Sequence, residues 1–353
     1  MTTLDDVMAL VAISSVSGTE DALASFVQAR LASNDQLEVE RVGDNVIART
    51  LGQHRTRVLV AGHLDTVPGD VRTATIEGGV LRGLGACDMK GSLAGMLELA
   101  CRVETRPFEV TWVFYAREEI ARAESGLVEV SEVRPDLLVA DVAILAEPTG
   151  GRVEAGCQGT LRVKITMHGV RAHTARPFTG HNAIHRLGEV LTLVAAYRPR
   201  EVELDGVTYV EQLQAVAVEG GVAPNVVPDW ASCVLNHRVA PDRSRDEASQ
   251  WLRHYLGDLL TEDDRFEVVD WAPSATPELH NDHLARLVSL SGDSPRAKVG
   301  WTDVATFREL GIPATNFGAG DPLLAHRSDE LVTLGEVTTF VNVLGEWLRG
   351  DAR

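Results

Sequence analysis

Four segments of this sequence run from apolar residues straight into acids or histidine. VLVAGHLDTVP places His63 and Asp65 directly after a run with the length and branching of a buried strand. GLGACDMKG puts Asp88 in a glycine-rich loop that opens a helix. VTWVFYAREE ends in Glu118 and Glu119, and VAILAEPTG carries Glu147 just beyond its apolar run. In open α/β sheets, ligands bind at the carboxyl ends of strands. So many carboxylates at one edge would repel one another strongly, and a divalent metal is the natural neutraliser. GAGDPLLAHRSDE offers a second imidazole, His326, from a loop. Zinc accepts both imidazole nitrogen and carboxylate oxygen. The donors are too many for one tetrahedral ion and suit two zincs sharing a bridging carboxylate, about 3.5–4 Å apart.

Each piece alone has a plainer reading. A histidine after a strand is ordinarily structural, and an acidic pair such as Glu118–Glu119 is ordinarily a solvated loop. Asp88 among glycines could cap a helix, and Glu147 before Pro148 could simply end a strand. Recurrence at several strand ends of one domain is what points to metal.

The elements that must position these residues read as follows. Thr19 caps a helix running to about Leu31, with Leu23, Phe26, Val27 and Leu31 on one face. Val58–Ala61, Val110–Tyr115 and Val142–Leu145 are strands, with a helix over Gly91–Val103 between the first two. Strands alternating with helices imply an α/β domain with a mostly parallel central sheet. The texture changes near Gly159, where TLRVKITMHG alternates Leu161, Val163, Ile165 and Met167 on one face. A helix over about Asn182–Ala196, strands near Gln212–Glu219 and Ala231–Arg238, and a helix over Arg245–Leu260 follow. That order predicts a smaller α+β, ferredoxin-like domain. The α/β texture resumes after Pro273. The expected organisation is therefore a catalytic domain of residues 1–158 and 273–353, interrupted by an inserted domain of residues 159–272.

At 353 residues the chain has room for two domains, and 44% hydrophobic with 24% charged residues is the balance of a soluble globular protein. The net charge of −18 argues against nucleic acid and anionic membrane as partners, but not against a small anionic substrate held by local cations. Cys87, Cys101, Cys157 and Cys233 form no CxxC pair, so no zinc ribbon or dithiol redox site is expected. MTTLDDVMALVAISS has no basic region of the kind that opens a signal peptide, and no apolar run of about 18 residues suggests a membrane span. A cytoplasmic location is the expectation.

HLDTVP, GLGACDMKGSLAG, the Glu-Glu pair after an aromatic-rich strand, and LAEPTG resemble the aminoacylase/carboxypeptidase family of dinuclear zinc amidohydrolases, in order and spacing across almost the whole chain. The inserted segment occupies the position of that family's lid or dimerisation domain. EAGCQGTLR, RAHTARPFTGHNAIH, EGGVAPNVVPD and NHRVAPDRS are most similar to its desuccinylase branch. The resemblance implies that His63 and Glu147 bind one zinc, Glu119 and His326 the other, and Asp88 bridges them. It makes Asp65 the residue that orients the His63 ring, and Glu118 the general base. His173 resembles a histidine that reaches into the neighbouring subunit's site and hydrogen-bonds the developing oxyanion. Asn225 and Arg238 resemble contacts to substrate carboxylates. Thr302 and the Gly318–Gly320 backbone, Gly320 in particular, would hold the substrate's far end.

The implied reaction is hydrolysis of N-succinyl-LL-2,6-diaminopimelate to succinate and LL-2,6-diaminopimelate, a step of lysine and cell-wall precursor synthesis. It would run in a homodimer paired through the inserted domain, with two Zn2+ per subunit and Co2+ able to substitute. Other N-acyl amino acid deacylases or dipeptidases of the family share the same zinc site. A noncatalytic metal- or amide-binding relative is the reading from another class; Glu118 argues against it, since a binder has no need of a base. Three details depart from the family. IARAES separates the Glu-Glu pair from the next glycine, Gly126; DVATF lacks an arginine common near that loop in desuccinylases; and APNVVP has alanine where glycine is commoner.

Overall fold

The apolar runs of the sequence become the interior strands of a mixed sheet. The structure, a computed structural model, describes residues 4–52, 54–69, 74–102, 104 and 106–350. In chain order the strands of the two main sheets are β1 (Leu37–Val42), β2 (Asn45–Thr50), β3 (Arg57–His63), β4 (Glu109–Tyr115), β5 (Val142–Leu145), β6 (Glu154–Ala155), β7 (Gly159–His168), β8 (Gln212–Gly220), β9 (Trp230–Val239), β10 (Arg265–Ala272), β11 (Arg296–Ala297) and β12 (Ala314–Asn316). The helices are α1 (Leu4–Val11), α2 (Asp21–Ala32), α3 (Gly91–Cys101), α4 (Gly126–Val133), α5 (Ala183–Ala195), α6 (Arg245–Leu256), α7 (Asp282–Ser291), α8 (Val304–Glu309) and α9 (Leu334–Arg349). Among the described residues, no helix is long and apolar enough to cross a membrane.

The chain divides into two compact units, Met1–Gly156 with Pro277–Ala297 and Thr302–Arg353, and Cys157–Thr276 with Lys298–Trp301. The first is built on an eight-stranded sheet in the order β1-β2-β4-β3-β5-β12-β6-β11. Strands β4, β3, β5 and β12 run parallel, and β1 and β2 add antiparallel at one edge. The central strands are buried on both faces, which explains why they read as continuous apolar runs. Register is what builds the site. His63 pairs with Tyr115, Ala61 with Leu145, and Leu145 with Asn316. The segments after β3, β4, β5 and β12 therefore leave the sheet at one edge. Helix α9 closes one face with Val337, Phe340, Val341, Leu344 and Leu348, a helical stripe begun by a Thr333–Glu336 capping box.

Helix α2 differs from expectation at its start. Glu20, not Thr19, stands at the N-cap, because the Thr19 hydroxyl donates to the Val16 carbonyl and is used in the preceding turn. The buried face is Leu23, Ala24, Val27 and Leu31, while Phe26 is exposed. Helix α3 is described to Cys101; Val103, its expected end, lies outside the described residues.

The second unit carries an antiparallel sheet in the order β8-β9-β7-β10, reached by a β-α-β-β-α-β path through α5 and α6. This is the ferredoxin-like arrangement. Leu161, Val163, Ile165 and Met167 of β7 share its core with Leu187, Val190, Ala248 and Leu252 of the helices. Asn182 caps α5 by accepting from the Ile184 and His185 N–H groups. Helix α6 stops at Leu256 and tightens into a short 3-10 turn, so the helix expected to Leu260 ends early.

Asp264 ties three pieces of this unit together. It accepts hydrogen bonds from the His168 N–H at the end of β7, from both terminal nitrogens of Arg186 on α5, and from the N–H and hydroxyl of Thr261. Burial alone would raise its pKa, but these donors outweigh it and hold the carboxyl well below the usual range. Asp264→Ala should cost about 2–3 kcal/mol of stability at neutral pH. Because the folded-state pKa is the lower one, this contribution is complete above the unfolded carboxyl's pKa and is lost as pH falls below it. Urea midpoints of the two proteins should therefore converge as the pH is lowered from about 5 toward 3.

Candidate metal centre

His63, the last residue of β3, is buried, and its Nε2 lies 3.0 Å from Asp88 Oδ1 and 4.0 Å from Glu147 Oε1. The other Asp88 oxygen lies 3.5 Å from Nε2 of His326, which is 2.8 Å from Glu119 Oε1. Asp88 thus stands between two imidazoles, each with a further glutamate beside it. His63, Asp88 and Glu119 each offer a ligand atom, all within 4.8 Å of one another. Imidazole nitrogens and carboxylate oxygens so converged are a donor set that fits a divalent cation.

Burial opposes protonation of His63, but its hydrogen bonds to Asp65 and Asp88 and the charges of Asp88 and Glu147 raise its pKa well above the usual value. His326, with a half-exposed side chain, is raised to about 9, chiefly by its hydrogen bond to Glu119. Glu118 is pushed well above the carboxylate range by burial and then by the charge of Glu147.

Asp65 stands at the His63 ring, as expected, and has a second duty besides. The group nearest His63 Nδ1 is the Asp65 backbone carbonyl at 3.0 Å, while its carboxylate is 3.5 Å away. The carboxylate also accepts from the N–H groups of Glu118 and Glu119, at 2.9 and 3.0 Å, and from the Ser17 hydroxyl at 2.7 Å. Burial would raise its pKa, but the His63, Ser17 and Glu119 interactions lower it to about 2. Asp65 therefore carries the backbone on which both glutamates sit.

The loop after β4 explains the displaced glycine. The Gly126 N–H closes the loop on the Ala116 carbonyl, and a Cβ there would stand 1.9 Å from Asn45 Oδ1. Between these points Arg117 takes a left-handed backbone (φ 61°) and pairs with Glu129, Arg122 pairs with Glu309 of α8, and Ser125 donates to the buried Asp303. Glycine is required where the loop closes, not where it follows the acids.

Gly320 has φ +94°, and a Cβ there would lie 2.6 Å from Cys87 Sγ, so close packing against the Asp88 loop requires glycine. Thr302 is buried and its hydroxyl donates to Asn316. His173, Asn225 and Arg238 belong to the second unit. A two-residue ladder pairs Ala172–His173 with Val226–Val227, and the Thr174 N–H donates to the Asn225 carbonyl, so His173 and Asn225 are exposed neighbours. Arg238 lies on β9 with one terminal nitrogen donating to Thr160.

Three supporting residues escaped sequence reasoning. Ser17 holds Asp65; Lys90, buried beside the Asp88 loop, donates from Nζ to the Ile13 carbonyl at 2.8 Å, burial lowering its pKa to about 8; and Glu330 grips the Asp88 loop itself. Only Lys90 left a local signal, as a cation inside the motif ACDMKG.

Replacing Asp65 by alanine leaves the Glu118 and Glu119 N–H groups without their acceptor. Divalent-metal affinity, measured by titration against a chelating dye, should fall about 10–100-fold while the far-ultraviolet circular dichroism stays that of the parent.

Comparison with known proteins gives a consistent result. Residues 59–350 match the family described as Peptidase family M20/M25/M40. The chain is 48% identical to a DapE protein of Mycobacterium tuberculosis, over 97% of this chain and 96% of that one. It is 43% identical to the succinyl-diaminopimelate desuccinylase of Corynebacterium glutamicum, over 96% and 94% of the two chains. Among solved structures, YxeP of Bacillus subtilis, a dinuclear metal-binding peptidase from the M20 family, superposes with a TM-score of 0.75 at 16% identity, covering 98% of this chain and 96% of that one.

Proposed function

This chain belongs to Peptidase family M20/M25/M40, and on that premise we propose that it hydrolyses N-succinyl-LL-2,6-diaminopimelate to succinate and LL-2,6-diaminopimelate. The enzyme class is that of a metal-dependent amidohydrolase. The observation that carries the substrate is the near-full-length similarity to the Corynebacterium desuccinylase.

We assign two zinc ions to the centre, His63 and Glu147 holding one, Glu119 and His326 the other, and Asp88 shared. The position of Asp88 between the two imidazoles supports this division. When bound, such ions polarise a carbonyl and make water a stronger acid. The remaining work falls to side chains. Glu118, on the backbone that Asp65 holds beside Glu119, takes the proton of the attacking water and passes it to the departing amine. Arg238 and Asn225 take the substrate's carboxylates, supplying positive charge and donors that the protein's net charge of −18 lacks overall.

We also assign a homodimer formed through the second unit. Strand β8 is the edge of its sheet, and its Val216 and Val218 are 56% and 57% exposed, an apolar edge that a second copy would cover. In that dimer His173 of one chain would serve the oxyanion in the other.

Two measurements test this reading. The zinc-loaded protein should release succinate from N-succinyl-LL-2,6-diaminopimelate and act poorly on N-acetyl-ornithine. Glu118→Gln should lower kcat about 10²–10⁴-fold with zinc still bound. Cleavage of acetylated or dipeptide substrates instead would keep the hydrolase and discard the substrate. Sedimentation velocity should give twice the 38.2 kDa chain mass. Arginine at both Val216 and Val218 should shift the protein to monomer and depress turnover more than zinc content.

A further inference from the structure

We propose that Glu330 is a positioning residue that fixes the shared ligand Asp88 and couples it to His326. The inference rests on the assignment of these two residues as metal ligands.

Asp88 lies in an irregular helical turn, Ala86–Lys90, that follows the glycines of GLGACDMKG and runs into α3, and its own backbone departs from helical geometry, so the aim of its carboxylate depends on what holds that turn. Three N–H groups of this loop end on one side chain. The Gly85 N–H donates to Glu330 Oε2 at 3.0 Å, and the Cys87 and Asp88 N–H groups donate to Glu330 Oε1 at 2.8 and 2.9 Å. The Glu330 backbone carbonyl adds a fourth bond, from the Gly83 N–H at 3.1 Å. Glu330 is only 3% exposed, so water competes little for these bonds.

A buried carboxylate beside the anionic Asp88 is costly unless it is richly hydrogen-bonded. Burial and the Asp88 charge do raise the Glu330 pKa, against the pull of the three N–H donors. Water or a neutral acceptor would satisfy three loop N–H groups with less repulsion. What the carboxylate adds is a fixed point. Glu330 sits four residues beyond His326 on the same strap, and His326 lies 3.5 Å from Asp88. One side chain thus clamps together the loop that carries the shared carboxylate and the loop that carries the second imidazole. Such outer hydrogen-bond partners typically govern metal affinity by about 10–100-fold.

The test compares Glu330→Gln with the parent. Glutamine keeps the volume but sets an amide N–H against at least one loop N–H. The readouts are zinc dissociation constants from chelator competition, the melting temperature of the metal-free protein, and kcat and KM. We expect at least one zinc affinity to fall about 10–100-fold, with kcat falling and KM changing little. A lower metal-free melting temperature with parental zinc affinities would make Glu330 merely structural and overturn the proposal. If Glu330→Gln does not fold, Glu330→Asp decides: the shortened carboxylate should weaken zinc binding, and parental affinity would overturn the proposal. The zinc measurement is independent of substrate. A parent inactive on N-succinyl substrates, alongside a zinc-weakened variant, would overturn the desuccinylase reading and leave this one standing.

Discussion

Mutual repulsion among carboxylates is the constraint around which the first unit is organised. Asp65, Glu118, Glu119 and Glu147 leave one edge of one sheet because β3, β4 and β5 are parallel and in register, and Asp88 joins them from the turn that opens α3. Three of these carboxylates have a partner of their own. Asp65 is met by main-chain N–H groups, Asp88 by two imidazoles, and Glu119 by His326. Glu330 is met by three N–H groups of a glycine-rich loop. The backbone therefore supplies part of the positive potential, at Asp65 and at Glu330.

The sheet tolerates this load because its interior is inert. The central strands are buried on both faces, and α3 and α9 join the same apolar core. An apolar, tightly packed interior has low dielectric response, so polar groups at its rim interact strongly and are costly when unmatched. The second unit keeps its own core and its own buried charge network at Asp264.

Much of the fold was legible in the sequence because its signals are local. Val58–Ala61 and Val142–Leu145 are apolar runs of strand length, and TLRVKITMHG alternates with period two. Residues that follow such runs can be placed at strand ends without further information, and His63 and Glu119 do meet within 4.8 Å, together with Asp88 from the turn before α3. The rest was hidden because it is non-local. Glu330 meets the Asp88 N–H across 242 positions, and Ser17 meets Asp65 across 48. Hydrogen bonds to main chain also leave no mark on the partner's identity. Asp65 illustrates the point: its motif suggested a partner for the His63 ring, but not that its carboxylate would also serve the Glu118 and Glu119 backbone. The ladder of Ala172–His173 with Val226–Val227 is too short to show any periodicity.

That backbone grip has a consequence for how the protein could change. Asp65 holds residues 118 and 119 through atoms that every amino acid but proline possesses. The loop's course is thus insulated from the identity of the side chains it displays. A lineage, or an experimenter, could exchange the group at position 118 and test new chemistry without rebuilding the frame that presents it. Scaffold and reactive group are here separately inherited parts.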